Sequence, residues 1–180
     1  MDEYLRLEAT SEERWEYAGG EAFAMAATPE HNLVKRNALV GLLTALEAGP
    51  CVPYPDGQKL ATGATGAYHY PDVSVYCDPP ERDPRDPNAF TNPTLLVEVL
   101  SPTTADYDHG AKFAHYRTLP SLHEYLVIDP EARTLTRYRK LDGGDWLMSP
   151  IDGGEVELSS LGVTLDVAPL WRDMNSLMSP

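Results

Sequence analysis

Two short apolar runs, each interrupted by one carboxylate, constrain the fold of this sequence more than any other feature. The runs read PDVSVYCD from Pro71 and PTLLVEVLSP from Pro93. Both are rich in β-branched or aromatic residues and are bounded by Pro and Asp, a pattern typical of buried β-strands. Asp72 opens the first run, and Glu98 lies in the middle of the second.

Burying an ionised carboxylate in a core strand costs several kcal/mol of folding free energy unless the carboxylate meets a cation or strong hydrogen-bond donors. Two such groups on neighbouring strands predict a shared divalent cation, Mg²⁺ or Mn²⁺, bound through oxygen with water completing the coordination. Asp72 also suits a simpler role, as the cap of a turn after Tyr70 and Pro71. Glu98 is harder to explain without a ligand, because its neighbours in the strand are apolar.

Composition predicts one domain spanning residues 1–180, since 180 residues with 42% hydrophobic content can bury a sizeable core. No apolar run approaches the roughly 18 residues of a membrane span, so no membrane partner is expected. The acidic, amphipathic N-terminus is unlike an export signal. Cys51 and Cys77 are well separated and form no C-x-x-C pair, so reduced thiols and a cytoplasmic location are expected.

The charge balance counts against a nucleic-acid partner. The chain carries 14 Lys and Arg against 28 Asp and Glu, which gives a net charge of −14. Proteins that bind nucleic-acid phosphates usually present a basic patch. Two features leave DNA open as a partner: a local basic group formed by Arg133, Arg137, Arg139 and Lys140, and an acidic site whose charge a divalent metal would offset.

The first half of the chain predicts a helix over residues 2–9, then a hairpin over 14–25. The hairpin turns at Ala18-Gly19-Gly20 and carries Glu16 and Glu21 in its arms. Thr28-Pro29-Glu30 has the residues of a helix start, and the helix is expected to reach Ala48 before Gly49-Pro50 ends it.

The remaining elements alternate between strands and one further helix. The helix runs from a cap at Asp106 or Asp108 to Leu119. A proline-rich loop separates the two apolar runs. The predicted strands lie at 51–54, 58–62, 124–130, 134–140, 146–148, 155–158 and 163–167, with a hairpin turn at 142–144 and an irregular tail. The fold class is therefore α/β (α+β), with a mixed central sheet flanked by helices, an N-terminal hairpin and C-terminal strands.

Lys112 lies on the helix that follows the Glu98 strand, and a short connection would fold it back over the strand's end. A lysine there could orient or deprotonate an attacking water, or neutralise charge on a phosphoryl group. The alternative is an ion pair with Asp108 one helical turn earlier.

Three further residues are possible accessories to such a site. His31 begins the long helix, Glu16 lies in the hairpin, and Tyr116 follows Lys112 by one turn. Each also suits a packing or surface role. His69, His109, His115 and His123 fall in no metal-binding spacing, and no phosphate-binding glycine loop or Gly-x-Ser-x-Gly motif occurs.

The ordered set of Pro71-Asp72, LLVEVLSP and DYDHGAKFAHYRTLPSLHEYLVIDP resembles the Uma2 (Uma-two) family of restriction endonucleases in the PD-(D/E)XK nuclease superfamily. The hairpin WEYAGGEAFAM and the helix start TPEHNLV are similar to that family as well. The resemblance covers roughly residues 3–170, and its ordered motifs are more specific than the Pro-Asp pair alone.

The resemblance implies a restriction-endonuclease-like core of order α-β-β-β-α-β. It implies a metal, Mg²⁺ or Mn²⁺, held by Asp72, Glu98 and the backbone carbonyl of Val99. The lysine expected two residues after the glutamate is Leu100 here, and the family resemblance suggests that Lys112 takes its role.

Three functions follow as expectations. The first is a metal-dependent endonuclease that hydrolyses DNA, acting as a possible homodimer through exposed strand edges in the 132–167 region. The second is a non-catalytic relative that keeps the fold as a binding or dimerisation module. The net charge and the presence of Leu100 where the motif has a lysine favour this function. The third is a metal-dependent hydrolase of another phosphate substrate, which an acidic surface would trouble less.

Overall fold

The computed structural model of the protein describes residues 1–11, 14–24, 27–101 and 108–177, and its elements follow the order that the sequence predicts. The helices are α1 (Asp2–Thr10), α2 (Pro29–Ala45), α3 (Phe113–Tyr116) and α4 (Met174–Leu177), with a π-helical turn at Asp108–Lys112 and a 3₁₀ turn at Ala168–Trp171. The strands are β1 (Trp15–Ala18), β2 (Glu21–Ala24), β3 (Val52–Pro55), β4 (Lys59–Thr62), β5 (Ala67–His69), β6 (Val73–Tyr76), β7 (Ala89–Phe90), β8 (Leu95–Val99), β9 (Glu124–Asp129), β10 (Thr134–Lys140), β11 (Trp146–Ile151), β12 (Glu155–Leu158) and β13 (Val163–Asp166).

Across the described ranges the strands form three sheets. A six-stranded sheet has the order β11-β10-β9-β8-β6-β3, and a five-stranded sheet has the order β2-β1-β5-β4-β7. Strands β12 and β13 pair separately. In the six-stranded sheet β8 and β9 run parallel, whereas its other neighbours run antiparallel. The predicted mixed central sheet is therefore confirmed.

The two faces of β8 bury different side chains. Leu95, Val97 and Val99 belong to the apolar core that α2 covers. Leu96 and Leu100 belong to a second apolar cluster, built around Tyr116 and Tyr125. Because successive strand residues point to opposite faces, Glu98 faces this second cluster.

Helix α2 starts where the sequence predicts. Thr28 is extended, and its hydroxyl oxygen accepts a hydrogen bond from the His31 amide at 3.2 Å, while Pro29 takes the first helical position. The cap fixes the direction of the first turn and therefore the place of His31. The last helical residue is Ala45, three residues before the predicted end.

Several short elements escaped the sequence pattern. Strand β5 has three residues and β7 has two, too few for a recognisable alternation. The segment predicted as an irregular tail contains the 3₁₀ turn and α4. Residues Met25 and Asp106, at predicted element ends, lie outside the described residues. No helix within the described ranges is long and apolar enough to cross a membrane.

The prediction of two reduced cysteines is wrong in this structure. Cys51 and Cys77 form a disulfide bond. The antiparallel register pairs Val52 with Tyr76, so the residues just outside that pair are direct cross-strand neighbours. Sequence separation alone cannot show this, because the pairing depends on strand register. The single-domain organisation and the homodimer stay predictions; β11, in the proposed interface region, is an edge strand of the central sheet.

Candidate active site

Asp72 and Glu98 lie at the same end of two adjacent strands. Val73 of β6 pairs with Val97 of β8, so the next position outward sets Asp72 beside Glu98. Each residue is only 3% exposed. The two carboxylates predicted from the sequence are therefore buried neighbours.

The Asp72 carboxylate is held by groups from other elements rather than by its own turn. Its Oδ2 accepts a hydrogen bond from the Val99 amide at 2.7 Å and lies 3.1 Å from His31 Nε2. Its Oδ1 lies 3.9 Å from the Lys35 ammonium. Asp72 therefore joins β6 to β8 and to the start of α2, and His31 belongs to this group.

The backbone hydrogen bonds of Val99 and Leu100 set the direction of the Val99 carbonyl. The Leu100 amide donates to the Ile128 carbonyl of β9 at 2.8 Å. In a trans peptide the carbonyl and the following N–H point in opposite directions. The carbonyl oxygen of Val99 is therefore directed away from β9, to the side from which the Val99 amide contacts Asp72.

Lys112 is surrounded by three carboxylates. Its Nζ lies 3.0 Å from Glu98 Oε1, 3.1 Å from Glu16 Oε1 and 3.4 Å from Asp108 Oδ1. The predicted pairing with Asp108 is present, and so is the predicted approach to Glu98. All four residues are buried. Among them the carboxylates outnumber the ammonium by three to one.

The local charges shift the pKa of each member of this cluster. Burial alone would lower the pKa of Lys112, but Glu16, Glu98 and Asp108 outweigh it and hold that pKa well above the usual value. Burial raises the pKa of Glu98 well above its ordinary range, despite the opposing effect of Lys112. Burial alone would raise the pKa of Glu16, but Lys112 and His69 outweigh burial and lower that pKa to about 2.

Tyr116 is fully buried and donates a hydrogen bond to Glu98 Oε1 at 2.6 Å. Burial and the negative charge of Glu98 raise the pKa of the Tyr116 phenol, so it stays a donor. The same Glu98 oxygen thus meets both Lys112 and Tyr116. This contact fixes the orientation of the Glu98 carboxylate in an otherwise apolar face.

His69, which falls in no metal-binding spacing in the sequence, contacts Glu16. It is fully buried, and its Nδ1 lies 3.6 Å from Glu16 Oε2 while its Nε2 lies 3.1 Å from His115 Nδ1. The Tyr70 amide donates to Glu16 Oε1 at 2.9 Å. The three-residue strand β5 gave no periodic signal that could have placed His69 or the Tyr70 amide near Glu16.

Leu100, two residues after Glu98, lies in an apolar environment. It is 7% exposed and packs in the apolar cluster of Tyr116 and Leu122. An ammonium at that position would be buried among apolar groups, which is strongly unfavourable. The structure instead brings the ammonium of Lys112 to Glu98 from the helical segment that follows.

The possible metal donors are two carboxylates and a carbonyl. Within the parts of the chain that the structure describes, no three His, Cys, Asp or Glu side chains form a metal-binding group. Mg²⁺ does not need such a cage, because it commonly takes one or two carboxylates and keeps several waters. Asp72, Glu98 and the Val99 carbonyl match that kind of site, and a thiolate or three-histidine metal has no equivalent donors here.

Comparison with known proteins gives relatives along nearly the whole chain. Two uncharacterized proteins of Synechocystis sp. (strain PCC 6803) are each 34% identical. The first aligns over 175 residues, 96% of this chain and 91% of its own length, and the second over 159 residues, 87% and 89%.

A solved structure shows the same fold. It is the crystal structure of an Anabaena variabilis protein described as "a putative nuclease belonging to DUF820". The match has a TM-score of 0.75 and 18% sequence identity, and it covers 94% of this chain and 96% of the other.

A family model also matches residues 1–168, and its description is "Putative restriction endonuclease". The match spans all three sheets described above and every residue of the buried cluster around Lys112. It confirms the resemblance drawn from the sequence motifs. The chain therefore belongs to the Uma2 family of restriction-endonuclease-like proteins.

Proposed function

We propose that the protein is a divalent-metal-dependent endonuclease that hydrolyses DNA phosphodiester bonds. Asp72, Glu98 and the Val99 carbonyl would hold Mg²⁺ or Mn²⁺. The membership of a restriction-endonuclease-like family supports nuclease chemistry. The observation that carries the proposal is the contact of the Lys112 ammonium with Glu98 Oε1, one strand away from Asp72.

The charge of the buried cluster supports metal binding. Three buried carboxylates, those of Glu16, Glu98 and Asp108, lie within 3.4 Å of the single Lys112 ammonium, so the cluster is rich in acidic groups. The raised pKa of Glu98 reflects this environment. A divalent cation at Asp72 and Glu98 would offset the excess charge. When bound, it would lower the pKa of a coordinated water and stabilise charge on the phosphoryl group.

The side chains have separate roles in this proposal. Lys112 carries a positive charge, because its pKa is held above the ordinary value. It would therefore orient the attacking water or stabilise phosphoryl oxygens, rather than remove a proton. Glu16 and Asp108 hold Lys112 in position, and Tyr116 holds Glu98. His31 would orient Asp72 through its contact with Oδ2.

Nicking of supercoiled plasmid tests the proposal. The wild-type protein should nick DNA with Mg²⁺ or Mn²⁺ and stop with EDTA. Asp72→Asn and Glu98→Gln should each lower the rate by about a hundredfold or more, because each removes charge at the metal position. Glu155→Gln, a carboxylate change on the exposed part of β12, should leave the rate unchanged.

Calorimetric titration with Mn²⁺ separates the competing functions. If wild-type protein binds no Mn²⁺ at millimolar concentration, both metal-dependent functions are excluded, and the non-catalytic binding or dimerisation module is the function that is left. Protein that binds Mn²⁺ but cleaves no DNA, while hydrolysing bis-p-nitrophenyl phosphate, would show a hydrolase of another phosphate substrate. Nicking that survives both Asp72→Asn and Glu98→Gln would disprove the assigned site.

A further inference from the structure

The two oxygens of the Asp72 carboxylate have different surroundings. Oδ2 is engaged by the Val99 amide at 2.7 Å and by His31 Nε2 at 3.1 Å. Oδ1 lies 3.9 Å from the Lys35 ammonium, which is too long for a hydrogen bond. Oδ1 is therefore the oxygen of Asp72 better placed to accept a ligand, and Lys35 lies beside it.

Lys35 forms its short contact with a different carboxylate. Its Nζ lies 3.0 Å from Asp56 Oδ2, in the turn between β3 and β4. Arg14 approaches the same oxygen at 3.3 Å. Asp56 thus contacts two cations, and lysine and arginine also bind phosphate groups.

The exposure of these groups shows where a large substrate can approach. The Lys35 side chain is 17% exposed, that of Asp56 35% and that of Arg14 50%. The Lys112 side chain is 6% exposed. Lys35 and Arg14 are therefore more accessible to a large substrate than Lys112 is.

We propose that Lys35 is a phosphate-binding residue that contacts the substrate strand beside the Asp72 metal position, with Asp56 as its counterion in the free protein. This inference rests on the proposed function. A metal at Asp72 Oδ1 would face the nearby ammonium of Lys35, and the two cations repel. An anionic phosphate bound between the metal and Lys35 would attract both cations and so offset their repulsion. Lysine and metal ions bind phosphate together in this way in other phosphoryl-transfer sites.

Two measurements on the Lys35→Gln variant test the inference, and they should change in opposite directions. The rate of plasmid nicking (kcat/KM) should fall by about tenfold to a hundredfold, because a phosphate contact is lost. Affinity for Mn²⁺ alone, measured by calorimetry, should rise about fivefold, because a neighbouring positive charge is removed. Lys35→Arg should keep the wild-type Mn²⁺ affinity and most of the activity.

Arg36→Gln is the matched control, since it removes one positive charge from the adjacent position of α2. Arg36 pairs with Asp173 and donates hydrogen bonds to Asn37, and neither partner belongs to the site described above. It should change neither measurement more than about twofold. Circular dichroism melting confirms that each variant is folded.

The outcomes separate the two proposals. Wild-type protein that neither binds Mn²⁺ nor cleaves DNA overturns the proposed function and this inference with it. Wild-type protein that does both, with Lys35→Gln behaving like Arg36→Gln, overturns the inference alone. Weaker Mn²⁺ binding in folded Lys35→Gln would also overturn it, because Lys35 would then support the metal site rather than repel the metal.

Discussion

Lys112 Nζ lies 3.0 Å from Glu98 Oε1, although Lys112 belongs to the helical segment after β8 and not to the strand itself. Leu100, two residues beyond Glu98 on the same face, lies in an apolar cluster. The ammonium therefore reaches the carboxylate from a different element. Three buried carboxylates therefore lie within 3.4 Å of this one cation.

Lys112→Met should lower the free energy of unfolding by about 3–5 kcal/mol in EDTA, because it leaves Glu16, Glu98 and Asp108 without their shared cation. Urea unfolding measures the change. The double variant Lys112→Met/Glu16→Gln should lose less than the sum of the single changes, since one of the carboxylates that had lost the Lys112 ammonium is removed as well. Strict additivity would show that Glu16 and Lys112 are not coupled.

Tyr116→Phe should destabilise the protein by about 1.5–3 kcal/mol, because its hydroxyl donates to the buried Glu98 carboxylate at 2.6 Å. Tyr138→Phe is a suitable comparison. Its hydroxyl meets His109 Nδ1 at 3.0 Å, in the same aromatic cluster, and its loss should be about 1 kcal/mol. Equal losses in urea unfolding would contradict a special role for the Glu98 contact.

Glu16 should contribute stability that is lost in acid. Its pKa is about 2 in the folded protein, below the ordinary 4.5, because Lys112 and His69 outweigh the opposing effect of burial. Its contribution is therefore present above pH 4.5 and is lost as the pH falls through about 2. Urea unfolding in EDTA should show the stability difference between wild type and Glu16→Gln shrinking from about pH 5 downward.

Glu98 should show the opposite pH dependence. Burial raises its pKa well above 4.5, so its contribution is present below pH 4.5 and is lost as the pH rises through the folded pKa. Glu98→Gln should therefore gain stability relative to wild type as the pH rises above about 4.5, in EDTA. A parallel pH dependence of Glu98→Gln and Glu16→Gln would contradict the assigned environments.

Reduction of the Cys51–Cys77 disulfide should destabilise the protein by about 3 kcal/mol, since the bond closes a loop with a sequence separation of 26. Urea unfolding with and without a phosphine reductant measures the effect. Cys51→Ser should show the lower stability and no response to reductant. Mass spectrometry after thiol alkylation should find no free cysteine in the oxidised protein.

The candidate site was predictable where one residue broke a strong local pattern. Asp72 and Glu98 stood out because a carboxylate in a buried strand needs a partner, and the helix after β8 suggested Lys112. The cap at Thr28 placed His31. Each of these inferences used interactions within a few residues or between sequential elements.

The missed features depend on contacts between distant segments. His69 and the Tyr70 amide meet Glu16 only because β5 pairs with β1, where Tyr17 lies opposite Tyr68. The disulfide depends on the register of β3 against β6. No sequence pattern indicates a role for Lys35, because its approach to Asp72 requires α2 to lie across the strand end. Such placements follow from tertiary packing, not from periodicity.

The position of Glu16 on the first hairpin has a consequence for the order of folding. Glu16 reaches Lys112 across about half of the chain, so their contact closes a long loop. The pairs between β6, β8 and β9 do not involve the hairpin. The central sheet can therefore form first, while the full set of contacts around Lys112 exists only after the hairpin has docked. Folding that stops before docking would yield a chain with its central sheet formed but its lysine incompletely held.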